Sequence, residues 1–125
     1  MGLDQFASTT SQHLESPVDF DAPDDAEELF YWRKHPDLHG WMQNLYEERG
    51  GKNPDFNLDP VALTIEDISM LEKDVIGDNL PKTAGFFFGN SNSDADYQAA
   101  ETLRFCEKAR DAFDSGKIVV YYAWW

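Results

Sequence analysis

Leu29-Phe-Tyr-Trp-Arg-Lys-His-Pro-Asp-Leu-His-Gly-Trp41 decides the fold, because it reads as a strand running straight into a helix. Glu28 to Arg33 alternates like a strand, with Phe30 and Trp32 on one face and Leu29, Tyr31 and Arg33 on the other. Pro36 then stands where a first helical residue is expected, and Asp37 suits the positive end of the helix dipole. Leu38, Trp41 or Met42, Leu45 and Arg49 continue at helical spacing until Gly50-Gly51 stops the helix. The stretch also holds the first basic residues of the chain, Arg33 and Lys34, with His35 and His39 one helical turn apart.

Working outward, Leu3 to Ala7 alternates polar and apolar residues and is expected to be a short first strand. Residues 8–27 then form an acidic loop or arm that carries Pro17 and Pro23 and no Lys or Arg. A long excursion of this kind is a solvated loop or a partner-facing arm, and Val18 and Phe20 are placed to pin it to the body. Downstream, Val61-Ala-Leu63 is a short strand or entry segment. Thr64 is expected to cap a helix, with Asp67 three residues on in a capping-box position. Ile68, Leu71 and Val75 make its core stripe and Gly77 ends it. Gly85-Phe-Phe-Phe-Gly89 reads as an apolar strand, and Asn90 to Asp94 as a turn and cap cluster. Ala95, Ala99, Thr102, Cys106, Ala109 and Phe113 fall on one face of a long helix closed by Gly116. Ile118 to Trp125 is continuously β-branched or aromatic, the pattern of a strand buried on both faces.

This order of elements predicts a single domain, residues 1–125, of α/β or α+β class: a small mixed sheet of four to five strands with about three packed helices. Gly85 to Trp125 has the length of a parallel crossover. The sheet order is open.

The charge balance narrows the partners. Twenty-four acidic residues against 10 basic ones give a formal charge of −14 in 125 residues, which disfavours direct binding of nucleic acid or anionic membrane and favours a basic protein. Cys106 is the single cysteine, so no internal disulfide is possible and a reducing compartment is expected. The N-terminus lacks the pattern of a signal peptide, and no apolar run approaches a membrane span. A soluble intracellular domain is expected.

Each candidate site has a plain structural counterpart. Arg33, Lys34 and His35 arrive at a helix N-terminus, where free N–H groups favour anions, and Tyr31, Trp32 or Trp41 offers a stacking surface. A nucleotide or other small-molecule pocket would use Tyr31, Arg33, Lys34, His39 and Trp41; alternatively, Arg33 and Lys34 pair internally with the abundant carboxylates. His35 and His39 have chelating spacing but no second ligand pair in view, so no metal is assigned. Phe86, Phe87 and Phe88 line a cleft or fill the core. Cys106, on the buried face of its helix, reads as inert. Asn90 to Asp96 lacks calcium-loop spacing, and no P-loop, dinucleotide fingerprint, nucleophile elbow or zincin pattern occurs. No catalytic residue and no cofactor is assigned.

Met1-Gly-Leu-Asp4, Tyr31-Trp-Arg-Lys34 with His39 and Trp41 after it, Gly85-Phe-Phe-Phe-Gly89 and the terminal Trp124-Trp125 together resemble a family of small uncharacterised tailed-bacteriophage proteins. The match runs from end to end and is weakest over residues 8–26 and 50–60. The resemblance implies a phage origin, action in the host cytoplasm and an accessory role. The expectation is therefore a non-enzymatic factor that binds and inhibits a host protein, a defence or nucleic-acid-handling protein for instance. Its contact set would be Glu15, Asp19, Asp21, Asp24, Asp25, Glu27 and Glu28, together with Asp55 and Asp59. A nucleotide-signal sponge is the alternative, and the oligomeric state is open.

Overall fold

The computed structural model describes residues 3–14, 16–18, 20, 23–33, 35–53, 56, 59–81 and 95–124, with side chains in the last stretch from residue 98 onward. The elements run β1 (Asp4–Thr10), β2 (Glu27–Arg33), α1 (Pro36–Glu48), β3 (Val61–Leu63), α2 (Ile65–Ile76), α3 (Ala95–Asp114) and β4 (Ile118–Trp124). The strands form one sheet in the order β2-β1-β4-β3, and every described pairing is antiparallel. The fold is α+β. Four strands and three helices are as expected, and among the described residues the sheet is antiparallel rather than mixed. β4 has no parallel neighbour in it because antiparallel β1 and β3 flank it on both sides. The expected strand Gly85–Gly89 and the cap cluster at Asn90–Asp94 lie outside the described residues.

Local signals explain where the helices begin and end. His35 caps α1, its ring Nδ1 accepting the Leu38 N–H at 3.4 Å, and Pro36 follows in the first turn. Thr64 and Asp67 close a reciprocal capping box on α2, with distances of 2.8 and 3.2 Å. Gly50 and Gly116 adopt φ of +89° and +80° just past α1 and α3, a conformation that favours glycine.

One face of the sheet is the core face. Gln5, Ala7 and Thr9 of β1, Phe30 and Trp32 of β2, Val119, Tyr121 and Ala123 of β4, and Val61 and Leu63 of β3 share it through the pairing register. Trp32 meets Phe105 of α3 edge-on at 4.8 Å, and Tyr121 lies near both Trp32 and Phe56. Ile68, Leu71 and Val75 of α2 pack towards Phe105, Cys106 and Ala109 of α3. Full burial of each large apolar side chain is worth about 1.5–3 kcal/mol. On α1 the fully buried stripe is Leu38, Met42 and Tyr46: of the expected Leu38, Trp41 or Met42, Leu45 and Arg49, the first holds, Met42 rather than Trp41 turns inward, and Tyr46 replaces the half-buried Leu45 and Arg49.

Two strand boundaries move. β1 runs on to Thr10 and β2 begins at Glu27, so the arm spans 11–26 rather than 8–27. β4 is buried on both faces only in its first half: Val119, Val120 and Tyr121 are buried, whereas Tyr122 is partly open and Trp124 is 52% exposed.

The register between β1 and β2 contains a bulge. Phe6 faces Tyr31 and Ala7 faces Phe30, but Ser8 faces Glu28, so Leu29 is the extra residue. Strict alternation would turn Glu28 towards the core. The bulge re-aims it to the opposite, outer face, beside Ser8.

Candidate functional site

The five residues expected to form a ligand pocket occupy three environments. Tyr31 and Arg33 point from β2 to the outer face, where the Tyr31 hydroxyl donates to Asp4 at 2.6 Å and Arg33 lies 3.8 Å from the same carboxylate. The bond to Asp4 raises the Tyr31 pKa. His39 points the other way and is 1% exposed, stacked on Phe56 with 4.9 Å between ring centres. Trp41 lies between α1 and α2 and donates to Asp74 at 2.9 Å. Lys34 lies outside the described residues. The expected single pocket is therefore not formed by Tyr31, Arg33, His39 and Trp41. Alternation in the strand and 100° steps in the helix send neighbours in sequence to different sides.

The start of α1 is filled from within. Asp37, in the first turn, is buried, and Gln5 holds the loop before the helix by accepting the His35 N–H at 2.8 Å and donating to the His35 carbonyl at 3.0 Å. The Gln5 amide also donates to the Tyr121 hydroxyl at 3.1 Å, and that hydroxyl lies 2.9 Å from His39 Nδ1. The Tyr121 hydroxyl and His39 Nδ1 thus share a hydrogen bond whose direction follows the tautomer of the ring. Burial lowers both histidine pKa values from 6.5 to about 4, for His39 against a smaller opposing effect of the Phe56 backbone. The His35 ring uses Nδ1 as an acceptor at the helix cap, so a second proton there would break that bond as well as bury a charge. Burial likewise raises the Tyr121 pKa strongly. These are neutral, structural groups at ordinary pH.

Nucleophilic chemistry finds no support at Cys106. The thiol is buried, and burial followed by the nearby Glu72 pushes its pKa up to about 12. No group of three or more His, Cys, Asp and Glu that would hold a metal ion occurs among the described residues.

Two concavities of similar volume lie among the described residues, one of about 490 Å³ beside Trp41, Arg49 and Asp74, and one on the outer face, lined by none of Tyr31, Arg33, His39 and Trp41. A cleft of about 470 Å³ lies between the sheet and the arm, with Phe6, Val120 and Tyr122 as floor, Phe20 and Pro23 as one wall and Pro60 as another. Phe6 stacks on Tyr122 at 5.2 Å with 20° between the ring planes, and Tyr31 extends the aromatic row, also 5.2 Å from Phe6. The arm is fastened there at both ends. Thr10 donates to the Asp25 carboxylate, the Ser11 N–H donates to it at 2.9 Å, and Val18 bridges to Val61. Those two hydrogen bonds hold the Asp25 carboxyl below the usual range.

Of the expected partner-binding acids, Asp24, Asp25, Glu27 and Glu28 are exposed, and Glu28 also lines the cleft. Glu15, Asp19, Asp21 and Asp55 lie outside the described residues; Asp59 instead accepts a hydrogen bond from Asn53. Among the described residues Glu28 has no ion pair, whereas Asp67 pairs with Arg49, Glu72 with Arg110 and Asp4 with Arg33. Sequence reading missed Phe6, Val120 and Tyr122 as site residues. Their one signal was placement on the face opposite Ala7 and Tyr121, which requires the strand pairing to interpret.

No protein-family model, curated protein or solved structure matches this chain. No helix among the described residues is long and apolar enough to cross a membrane.

Proposed function

We propose that this protein is a non-catalytic bacteriophage accessory factor that works in the host cytoplasm by binding, and so inhibiting, a basic host protein. One observation carries the reading: Asp24, Asp25, Glu27 and Glu28 stand exposed in succession where the arm enters β2, in a chain of formal charge −14. Such a field speeds encounter with a basic surface and imitates the charge of nucleic acid toward a protein that handles it. The burial and neutrality of His35, His39 and Cys106 support a binding role over a catalytic one. The alternative, a nucleotide sponge using Tyr31, Arg33, Lys34, His39 and Trp41, has less support, since Tyr31 and Arg33 are separated from His39 and from Trp41.

The test is a tagged pull-down from nuclease-treated host lysate, washed at low and at high salt and read by mass spectrometry. A basic host protein retained at low salt and released at high salt is the expected result, because exposed charge pairs are screened within about 8–10 Å at physiological ionic strength. A complex indifferent to salt would overturn the electrostatic basis of the proposal.

A further inference from the structure

We infer that the outer-face cleft is an anchor slot for an arginine side chain carried by an apolar segment of the basic partner, an inference that rests on the acidic-surface reading. Three features select this occupant. The floor is aromatic and apolar, with the Phe6–Tyr122 stack offering ring faces to a flat cation. Glu28 is the single ionisable acid among the lining residues, apart from the weakly acidic Tyr122 hydroxyl, and among the described residues its carboxylate has neither an ion pair nor a hydrogen bond. The exposed acids Asp24, Asp25 and Glu27 adjoin it in sequence and add to the attraction for a cation. Lys108 and Lys117 are the nearby cations. They share a separate groove with Glu27 and Glu28 on the α3 side of β2, and Lys117 acts on Asp25, but neither lines the outer-face cleft.

A guanidinium fits these features better than an ammonium. It is planar, so it stacks on a ring while its edge pairs with a carboxylate, and it loses less hydration on entering an apolar slot. The cleft volume of about 470 Å³ exceeds one such side chain, which leaves room for flanking apolar residues against Val120, Phe20 and Pro60. The bulge at Leu29 supplies the carboxylate, because without it Glu28 would face the opposite side of the sheet.

The probe is the capped tripeptide acetyl-Leu-Arg-Leu-amide, titrated into the ¹⁵N-labelled protein, with the citrulline tripeptide as its neutral counterpart. Shifts are expected at Phe6, Ser8, Glu28 and Tyr122, with the citrulline peptide at least fivefold weaker and Glu28→Gln abolishing that preference. Equal binding of the two peptides, shifts confined to other faces, or no saturable shift would overturn the slot. Glu28 is exposed, so Glu28→Gln is expected to fold as the parent does; Phe20→Ser, which opens one wall from the arm, is the second variant and should weaken the arginine peptide at least threefold. Repeating the host pull-down with Glu28→Gln separates the two proposals. Full retention of a salt-sensitive partner would sink the slot and leave the acidic-surface reading standing, whereas an empty wild-type pull-down would remove the reading itself.

Discussion

Acidification from pH 7 to 5.5 should destabilise this protein, although its net charge alone argues the reverse. His35 and His39 are 3% and 1% exposed, and their pKa values fall from 6.5 to about 4 on folding. Between those values the unfolded chain binds protons that the folded one refuses, so stability is full above pH 6.5 and drains away as the pH drops toward 4. At about 1.4 kcal/mol per pKa unit, each imidazole removes roughly 1.2 kcal/mol between pH 7 and pH 5.5, or about 2.5 kcal/mol for the pair. With a urea m-value of about 1–3 kcal/mol/M, the unfolding midpoint should fall by about 0.8–2.5 M. Relief of repulsion among the acidic side chains would in any case raise stability, so the two effects differ in sign. The measurement is urea unfolding followed by tryptophan fluorescence at half-unit pH steps, on the parent, His35→Asn and His39→Gln. Asn keeps an acceptor at the helix cap and Gln keeps a hydrogen-bonding partner for Tyr121, so each variant should show about half the parent's pH dependence. A midpoint that stays level or rises from pH 7 to 5.5 would refute the claim that both rings are buried and neutral.

The two best ion pairs should differ sharply on truncation. Arg49→Ala leaves the 7%-exposed Asp67 carboxylate without its cation, though still accepting the Thr64 N–H, and removes a 2.7 Å bond to the Ala62 carbonyl, at a cost of about 3 kcal/mol in urea unfolding, whereas Arg110→Ala breaks a half-open pair with Glu72 and should cost under about 1 kcal/mol. Gly51→Ala places a Cβ 2.3 Å from the buried Tyr46 ring, whose hydroxyl is held by the Asn53 N–H. It should cost about 1–3 kcal/mol by overpacking, while Gly116→Ala meets open space and costs only the left-handed backbone, about 1 kcal/mol. Cys106 should resist a thiol reagent at pH 8 in the folded protein, where about one thiol in 10,000 is ionised, and react as soon as urea unfolds the chain; rapid labelling of the native state would contradict the packing of α3 on α2.

Much of the fold was legible because its signals are local. Thr64 with Asp67, Pro36 after a polar residue, and the glycines past α1 and α3 each fix a helix end through neighbours within four residues. The stripe Thr102, Cys106, Ala109 was readable for the same reason. The site was less legible, because it depends on pairings between residues distant in the chain. Phe6 meets Tyr122 across 116 positions, and Glu28 reaches that face only because the strands slip by one at Ala7–Ser8. Nothing in the residue types near Glu28 announces a bulge. Arg33 to Trp41 looked like a site because its reactive side chains are dense in sequence, yet the change from strand to helix within it disperses Arg33, His39 and Trp41 in space.

The fastening of the arm at Val61 bears on how copies of this chain meet one another. Among the described strands β3 is outermost and only three residues long, the kind of edge that invites a strand from another molecule. Here the Ala62 N–H is already given to the Pro17 carbonyl at 2.8 Å, and Val18 bridges to Val61 from the same side. Proline has no N–H of its own with which to extend a ladder, so the arm ends the sheet on that side instead of lengthening it. The acidic segment thus also covers backbone groups of β3 that an incoming strand would need.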